Sequence, residues 1–335
     1  MKKFISNTVF FIFILIFVAV YKSIFGDANS LVGIATLVCL LVLMKTNLIA
    51  KPLYNLNCLL ALFLSLGILS YLANLNIYLE FLCSFIALSS IGYLLTYNLS
   101  KNLIVPAGLL YLFLLFDPVS GKDLALRAAG LVIAPFLIMG FQYLIYRKKL
   151  LLETEESSLL FYIRPNRDQT KEYTFFGLHL HLHPTRLAFS LRIGVLSAIT
   201  SLFQRLLLDH YHIPEGRWLV YTIFSLTELY SQNCHIKSKQ RLVGTLIGSV
   251  IIFVLFSIFK APSTRSLICL LVGYLNTYIS NYRDSSILVT ISAVATTTLT
   301  SDPGLVIFYR ILFVCIGTLI ALIGDHLLFP QKEPA

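Results

Sequence analysis

Charge is what this sequence has least of. Asp, Glu, Lys and Arg together make 13% of its 335 residues, and the acids number only 16. A chain so short of charge cannot dress the surface of an ordinary water-soluble enzyme. The usual marks of catalysis are missing too. No Gly-x-Ser-x-Gly elbow pairs a nucleophile with a base, and no Gly-rich loop ends in Gly-Lys-Ser or Gly-Lys-Thr, which excludes the familiar hydrolase and ATPase signatures. The cysteines, Cys39, Cys58, Cys83, Cys234, Cys269 and Cys315, are dispersed and give neither a disulfide framework nor zinc spacing. The expectation is a protein that is not an enzyme and carries no cofactor.

What is abundant is apolar. Hydrophobic residues make 57% of the chain and the mean hydropathy is +0.82. They come in runs of about 15–22 residues, long enough as helices to cross about 30 Å of hydrocarbon. Twelve runs are read as spans: 4–21, 31–44, 56–72, 77–97, 103–116, 124–146, 187–208, 218–230, 242–259, 266–279, 287–299 and 306–328. The first follows Lys2 and Lys3 like a signal peptide, but without a small-residue cleavage site and with many spans behind it, so it reads as a retained helix. Either 218–230 or 287–299 has a re-entrant alternative. With the amino terminus inside, Lys45, Lys51, Lys101, Arg147-Lys148-Lys149, Lys237, Lys239 and Arg241 share the cytoplasmic side, and both termini are expected there. The net charge of +10 is therefore a topology signal and calls for no nucleic-acid partner.

The fold class expected is all-α and polytopic, about twelve helices in two parallel six-helix repeats. The domains are 1–146, a first membrane bundle; 147–185, a cytosolic linker or small domain; and 186–330, a second bundle. A duplication supports this: Asp117-Pro118 then Arg127 recurs as Asp302-Pro303 then Arg310, at displacements of 185 and 183 residues. Asp-Pro suits a helix start, the carboxylate accepting from free N–H groups and proline tolerated in the first turn. In the middle segment His179, His181 and His183 alternate with leucine at strand period. They are read as a weak metal candidate or pH sensor, or as the polar face of a small strand.

Arg186 and Arg192, Gly216-Arg217-Trp218, and the run Arg241-Leu242-Val243-Gly244-Thr245-Leu246-Ile247-Gly248 carry a resemblance. They resemble the membrane domain of the fusaric-acid-resistance-like family, also called integral membrane bound transporter or aromatic acid exporter proteins. Arg310 with Gly317-Thr318 looks like a second copy, and the first half keeps Arg127 and Gly130. Beyond the Trp, members of that family often carry Gln-Pro where this sequence reads Glu228-Leu229. The resemblance implies two six-helix units with a cytosolic insertion, in the bacterial cytoplasmic membrane. It also implies efflux of organic acids driven by the proton gradient.

Arg241 and Glu228 lead the candidates for substrate or coupling. An arginine at a helix start can hold a carboxylate bidentately, and an acid at the end of an apolar segment needs a partner, a cavity or a proton route. Arg192, Arg127, Arg310 and Asp325 follow, Asp325 as a partner for one of the arginines. Gly244, Thr245, Gly248 and Gly317 are read as packing positions, and Glu80 as helix-start electrostatics. The expected partners are membrane lipids, a small amphipathic organic anion such as an aromatic carboxylate, and a second copy or an envelope protein. A different reading is a non-transporting scaffold that recruits a partner through 151–185.

Overall fold

The computed structural model describes residues 2–44, 47–96, 103–147, 171–175, 178–208, 210–211, 213–259, 261–298 and 302–330. Lys45, Lys101, Lys148, Lys149, Ser301, Lys332 and most of 151–185 lie outside them. Twelve α-helices occur among the described residues. The first six are α1 (Lys2–Phe25), α2 (Ser30–Leu43), α3 (Pro52–Leu75), α4 (Ile77–Leu94), α5 (Ile104–Phe116) and α6 (Gly121–Tyr146). A hairpin of β1 (Lys171–Phe175) and β2 (Leu178–Leu182) precedes α7 (Pro184–Phe203), which runs on through a π turn at Gln204–Leu208. Then come α8 (Arg217–Leu226), α9 (Ser231–Ile258), α10 (Pro262–Asn276), α11 (Tyr282–Thr297) and α12 (Pro303–Leu327). Seven of these, α1, α3, α4, α6, α7, α9 and α12, are long and apolar enough to cross a membrane, and the protein is a polytopic membrane protein.

Local chemistry sets the boundaries. Proline opens α3, α10 and α12, where its missing N–H is no loss. Asn76 caps α4 by accepting from Tyr78 N at 3.0 Å, and Asp302 caps α12 by accepting from Leu305 N at 3.0 Å. Gly26, at φ 86°, takes the left-handed turn that parts α1 from α2. The first Asp-Pro behaves differently from the expected helix start. Asp117 ends α5, and α6 begins only at Gly121.

The two halves repeat in element order and share four helix pairings. The third helix of each packs on the fifth and sixth, the fourth on the fifth, and the second on the sixth. Compactness groups the chain otherwise: residues 16–202 form one unit, and 1–15 with 203–335 form the other. The start of α1 thus falls in the latter unit, while the rest of α1 and nearly all of α7 fall in the former. In the latter unit the start of α1 lies on α10, where Asn7 Nδ2 donates to Thr277 O at 3.2 Å and Thr8 Oγ1 is 3.0 Å from Tyr274 OH. The Phe4 and Phe11 rings meet Tyr274 edge-on. In the former unit α7 lies on α4, so closely that a Cβ on Gly92 would stand 3.0 Å from the Ser190 Cα.

Five of the expected spans, 31–44, 103–116, 218–230, 266–279 and 287–299, fall on the shorter helices α2, α5, α8, α10 and α11, and two segments differ most. The segment 218–230 is helical only over the ten residues of α8, about 15 Å at 1.5 Å per residue, half of what a bilayer requires. The helix stops because Thr227 turns extended, at φ −64° and ψ 116°. The helix expected from 242 instead starts at Ser231, since the polar run before Leu242 contains no helix breaker.

Candidate functional site

Within the unit of 1–15 and 203–335, four helices bring charge together out of water. Arg241 comes from the middle of α9, Arg310 from α12, Trp218 from the first turn of α8 and Tyr282 from the first turn of α11. Arg241 is 8% exposed and Arg310 3%. The Arg310 guanidinium lies over the Trp218 ring at 5.0 Å, and Arg241 is near enough for its charge to act on Arg310. Among the described residues neither arginine has an ion-pair partner, and the Nε of each makes no hydrogen bond. The hydroxyls of Thr245, Ser249 and Tyr282 are also buried without a hydrogen bond. Arg241, Thr245 and Ser249 follow at four-residue steps and so share one face of α9.

Such a cluster is costly unless something answers it. Two buried like charges repel, and each has left its hydration behind. An anion would relieve both penalties, with two guanidinium forks for a carboxylate and hydroxyls beside them.

The fit of the helices here is fixed by small residues. A Cβ on Gly244 would come 2.8 Å from Arg283 O, and one on Gly248 2.8 Å from Ile287 O, so α9 and α11 touch backbone to backbone. A Cβ on Gly317 would stand 3.2 Å from Leu219 O, which brings α12 equally close to α8. Thr245 is buried on the same seam.

Glu228 occupies the extended link between α8 and α9, 5% exposed, and accepts a hydrogen bond from Lys237 Nζ. Lys237 in turn lies 5.6 Å from the Tyr282 ring centroid. The helix break that family members often mark with Gln-Pro is therefore present at Glu228-Leu229. Arg241 stands ten residues inside α9, about 15 Å from its N-terminus, and the helix dipole expected to help it is out of reach.

Residues 198–324 match the fusaric acid resistance protein-like family. The family segment contains Trp218, Glu228, Arg241, Gly244, Thr245, Gly248, Tyr282, Arg310 and Gly317, the whole of the arginine site. A stretch of 146 residues is 30% identical to the uncharacterized protein YhfK of Escherichia coli (strain K12), covering 42% of this chain. The matched stretch spans only 20% of that protein's length. No solved structure matches.

The other candidates lie elsewhere. Asp325 is fifteen residues beyond Arg310 on α12, about 22 Å along the helix, too far to pair with it. Arg192 is fully buried on α7 in the unit of 16–202. In that unit Arg127 is a structural clamp. Its Nε donates to Asn29 Oδ1 at 2.8 Å, Nη1 to Asp117 O at 2.7 Å and Nη2 to Ala28 O at 3.0 Å, fastening α6 to both loops at its end. It lines an apolar cavity of about 440 Å³ walled by α3, α5 and α6, but with each of its three nitrogens already donating to a partner. Arg127→Gln should lower stability by about 2–4 kcal/mol, by stranding carbonyls that a charged donor now satisfies. Thermal unfolding in detergent checks this, and an unchanged midpoint would show the clamp to be idle.

The two histidines whose side chains are described take separate partners. His179 Nδ1 pairs with Glu172 Oε1 at 2.7 Å across the hairpin, whereas His183 lies past the strand with its backbone N–H given to Tyr93 OH. The His181 side chain lies outside the described residues. Among those described, no three His, Cys, Asp or Glu side chains stand together as a metal site. The sequence reading missed Tyr282, Ser249 and Lys237 as site residues. Ser249 had a signal, its four-residue spacing from Arg241, while Tyr282 is joined to the site only by tertiary packing.

Proposed function

We propose that the protein exports amphipathic organic anions, aromatic carboxylates foremost, across the bacterial cytoplasmic membrane, in exchange for protons. The observation that carries this reading is the pair of buried arginines without an acid. A guanidinium stacked on an indole presents charge beside an apolar aromatic face, the combination that an aromatic carboxylate itself has. The match of 198–324 to a family named for fusaric acid resistance supports the same direction. Coupling is assigned to Glu228. Its carboxylate holds Lys237, and protonation would release that ammonium next to Tyr282, at the edge of the arginine site.

The test is flux of a panel of aromatic carboxylates in proteoliposomes, with and without an imposed pH gradient. The wild-type protein should show gradient-stimulated flux. Arg241→Ala should lose at least about tenfold in apparent affinity, equivalent to about 1.4 kcal/mol. Glu228→Gln should keep binding and lose the stimulation by the gradient. Absence of flux for every member of the panel would overturn the reading in favour of the scaffold that recruits a partner through 151–185.

A further inference from the structure

In the unit of 16–202, α4 and α7 run antiparallel along a seam of hydroxyls that the arginine site does not use. One end is Glu80, 1% exposed on α4, which accepts a hydrogen bond from Ser201 Oγ of α7. Ser197 lies one turn before Ser201, fully buried, and its hydroxyl makes no hydrogen bond among the described residues. Ser84, one turn after Glu80, is 2.9 Å from Tyr111 OH of α5. Further along, Ser89 Oγ stands 1.9 Å from where a Cβ on Gly194 would be, so only a glycine leaves it room, and this hydroxyl too is buried without a partner. The other end is His183, just before α7, where burial and the Arg186 guanidinium hold the imidazole below its ordinary range. Arg186 closes that end by donating from Nε to Tyr93 O at 3.0 Å.

The spacing has a physical meaning. From Glu80 to Tyr93 the seam is thirteen residues, about 20 Å, with polar groups at intervals near one helical turn of about 5.4 Å. Two hydrogen bonds of about 2.8 Å through one water span that interval. Unpartnered hydroxyls in mid-seam are the groups that bond such waters, and a hydroxyl both gives and accepts a proton. An apolar seam between two helices would pack better, and a buried carboxylate at the end of a polar one is expensive to keep for packing alone.

We propose that the α4–α7 seam is a proton relay ending on Glu80. The Glu80 carboxylate takes one proton onto an oxygen, becoming neutral, and returns it to the hydroxyl and water chain that leads to His183. The groups set around Glu80 permit such cycling. Helix α4 itself adds Cys83, α5 brings Tyr111 and no charge, and α3 brings no charged side chain. Helix α7 carries Arg192 nine residues before Ser201 and Arg205 one turn after it, in the π turn.

The proposal rests on the carrier reading only for its purpose, and its test needs no substrate. Infrared difference spectra of the reconstituted protein, taken between about pH 4 and about pH 10, should contain a protonated-carboxyl band that is lost in Glu80→Gln. That band should shift in D2O, and more slowly by at least about tenfold when Ser89→Ala and Ser197→Ala are combined, since the chain of hydroxyls is then cut. No Glu80-dependent band anywhere in the range, or exchange indifferent to both serines, would overturn the relay. Flux of aromatic carboxylates can fail or succeed independently of either result.

Discussion

Arg310→Gln is expected to make the protein more stable and less able to hold an anion. Most substitutions of a buried residue do the reverse. Here the native side chain brings a charge that no described acid answers, beside the like charge of Arg241. Glutamine keeps a polar amide with two N–H donors and much of the volume while removing both the desolvated charge and the repulsion. Relief of an uncompensated buried charge is worth about 1–3 kcal/mol, read as a raised unfolding temperature without ligand. The same substitution should weaken binding of an aromatic carboxylate by at least about tenfold, because one of two guanidinium forks is gone. Ligand should also raise the unfolding temperature of the wild type and leave that of the variant almost unmoved. Lower stability with unchanged affinity would mean that Arg310 is a packing residue. The contrast with Arg127, whose loss should destabilise and spare binding, makes the pair a test of what partners do to a buried arginine.

Gly248→Leu is expected to abolish the folded protein, and Gly140→Ala to leave it unharmed. Both glycines lie inside long helices, and the four-residue spacing of Gly244 and Gly248 already marks the latter as a packing position. A Cβ on Gly248 would come 2.8 Å from Ile287 O and 3.0 Å from the Thr290 Cβ, so a side chain there must push α9 off α11 along its length. Overpacking a close contact costs about 3 kcal/mol or more, and Gly244, one turn away, prevents the strain from being shared. Gly140 on α6 has nothing within 4 Å of its Cβ position, and alanine there gains up to about 1 kcal/mol of helix propensity. Fluorescence-detected size exclusion after graded heating distinguishes the two. A well-behaved Gly248→Leu protein would refute the close α9–α11 seam.

The layout was legible because each apolar run is bounded by residues with their own conformational demands. Asn76, Asp302 and the helix-opening prolines do in the structure what their chemistry prescribes. The start of α9 was not legible, because hydropathy reports where a helix enters lipid and not where it begins, and Ser231 to Gln240 is polar yet helical. Arg127 and Arg310 were legible as a matched pair. Their opposite circumstances were not, since Arg127 is answered by Asn29 and the Ala28 carbonyl far from it in sequence and by the nearby Asp117 carbonyl, while Arg310 faces Trp218 and another arginine. Sequence symmetry located the positions, and tertiary partners decided what each one does.

The seating of the start of α1 on α10 also dictates an order of events during synthesis. Asn7 finds Thr277 across 270 residues of chain. At translation rates of about 5–20 residues per second, the start of α1 waits some tens of seconds for α10 to emerge. Through that interval Asn7 has no α10 carbonyl to donate to, whereas the Thr8 hydroxyl keeps its bond to Phe4 O within α1. Helix α7 meets the opposite circumstance, leaving the ribosome with α4 already made. The α4–α7 contact closes while the chain is still growing, and that of α1 with α10 waits until α10 is made.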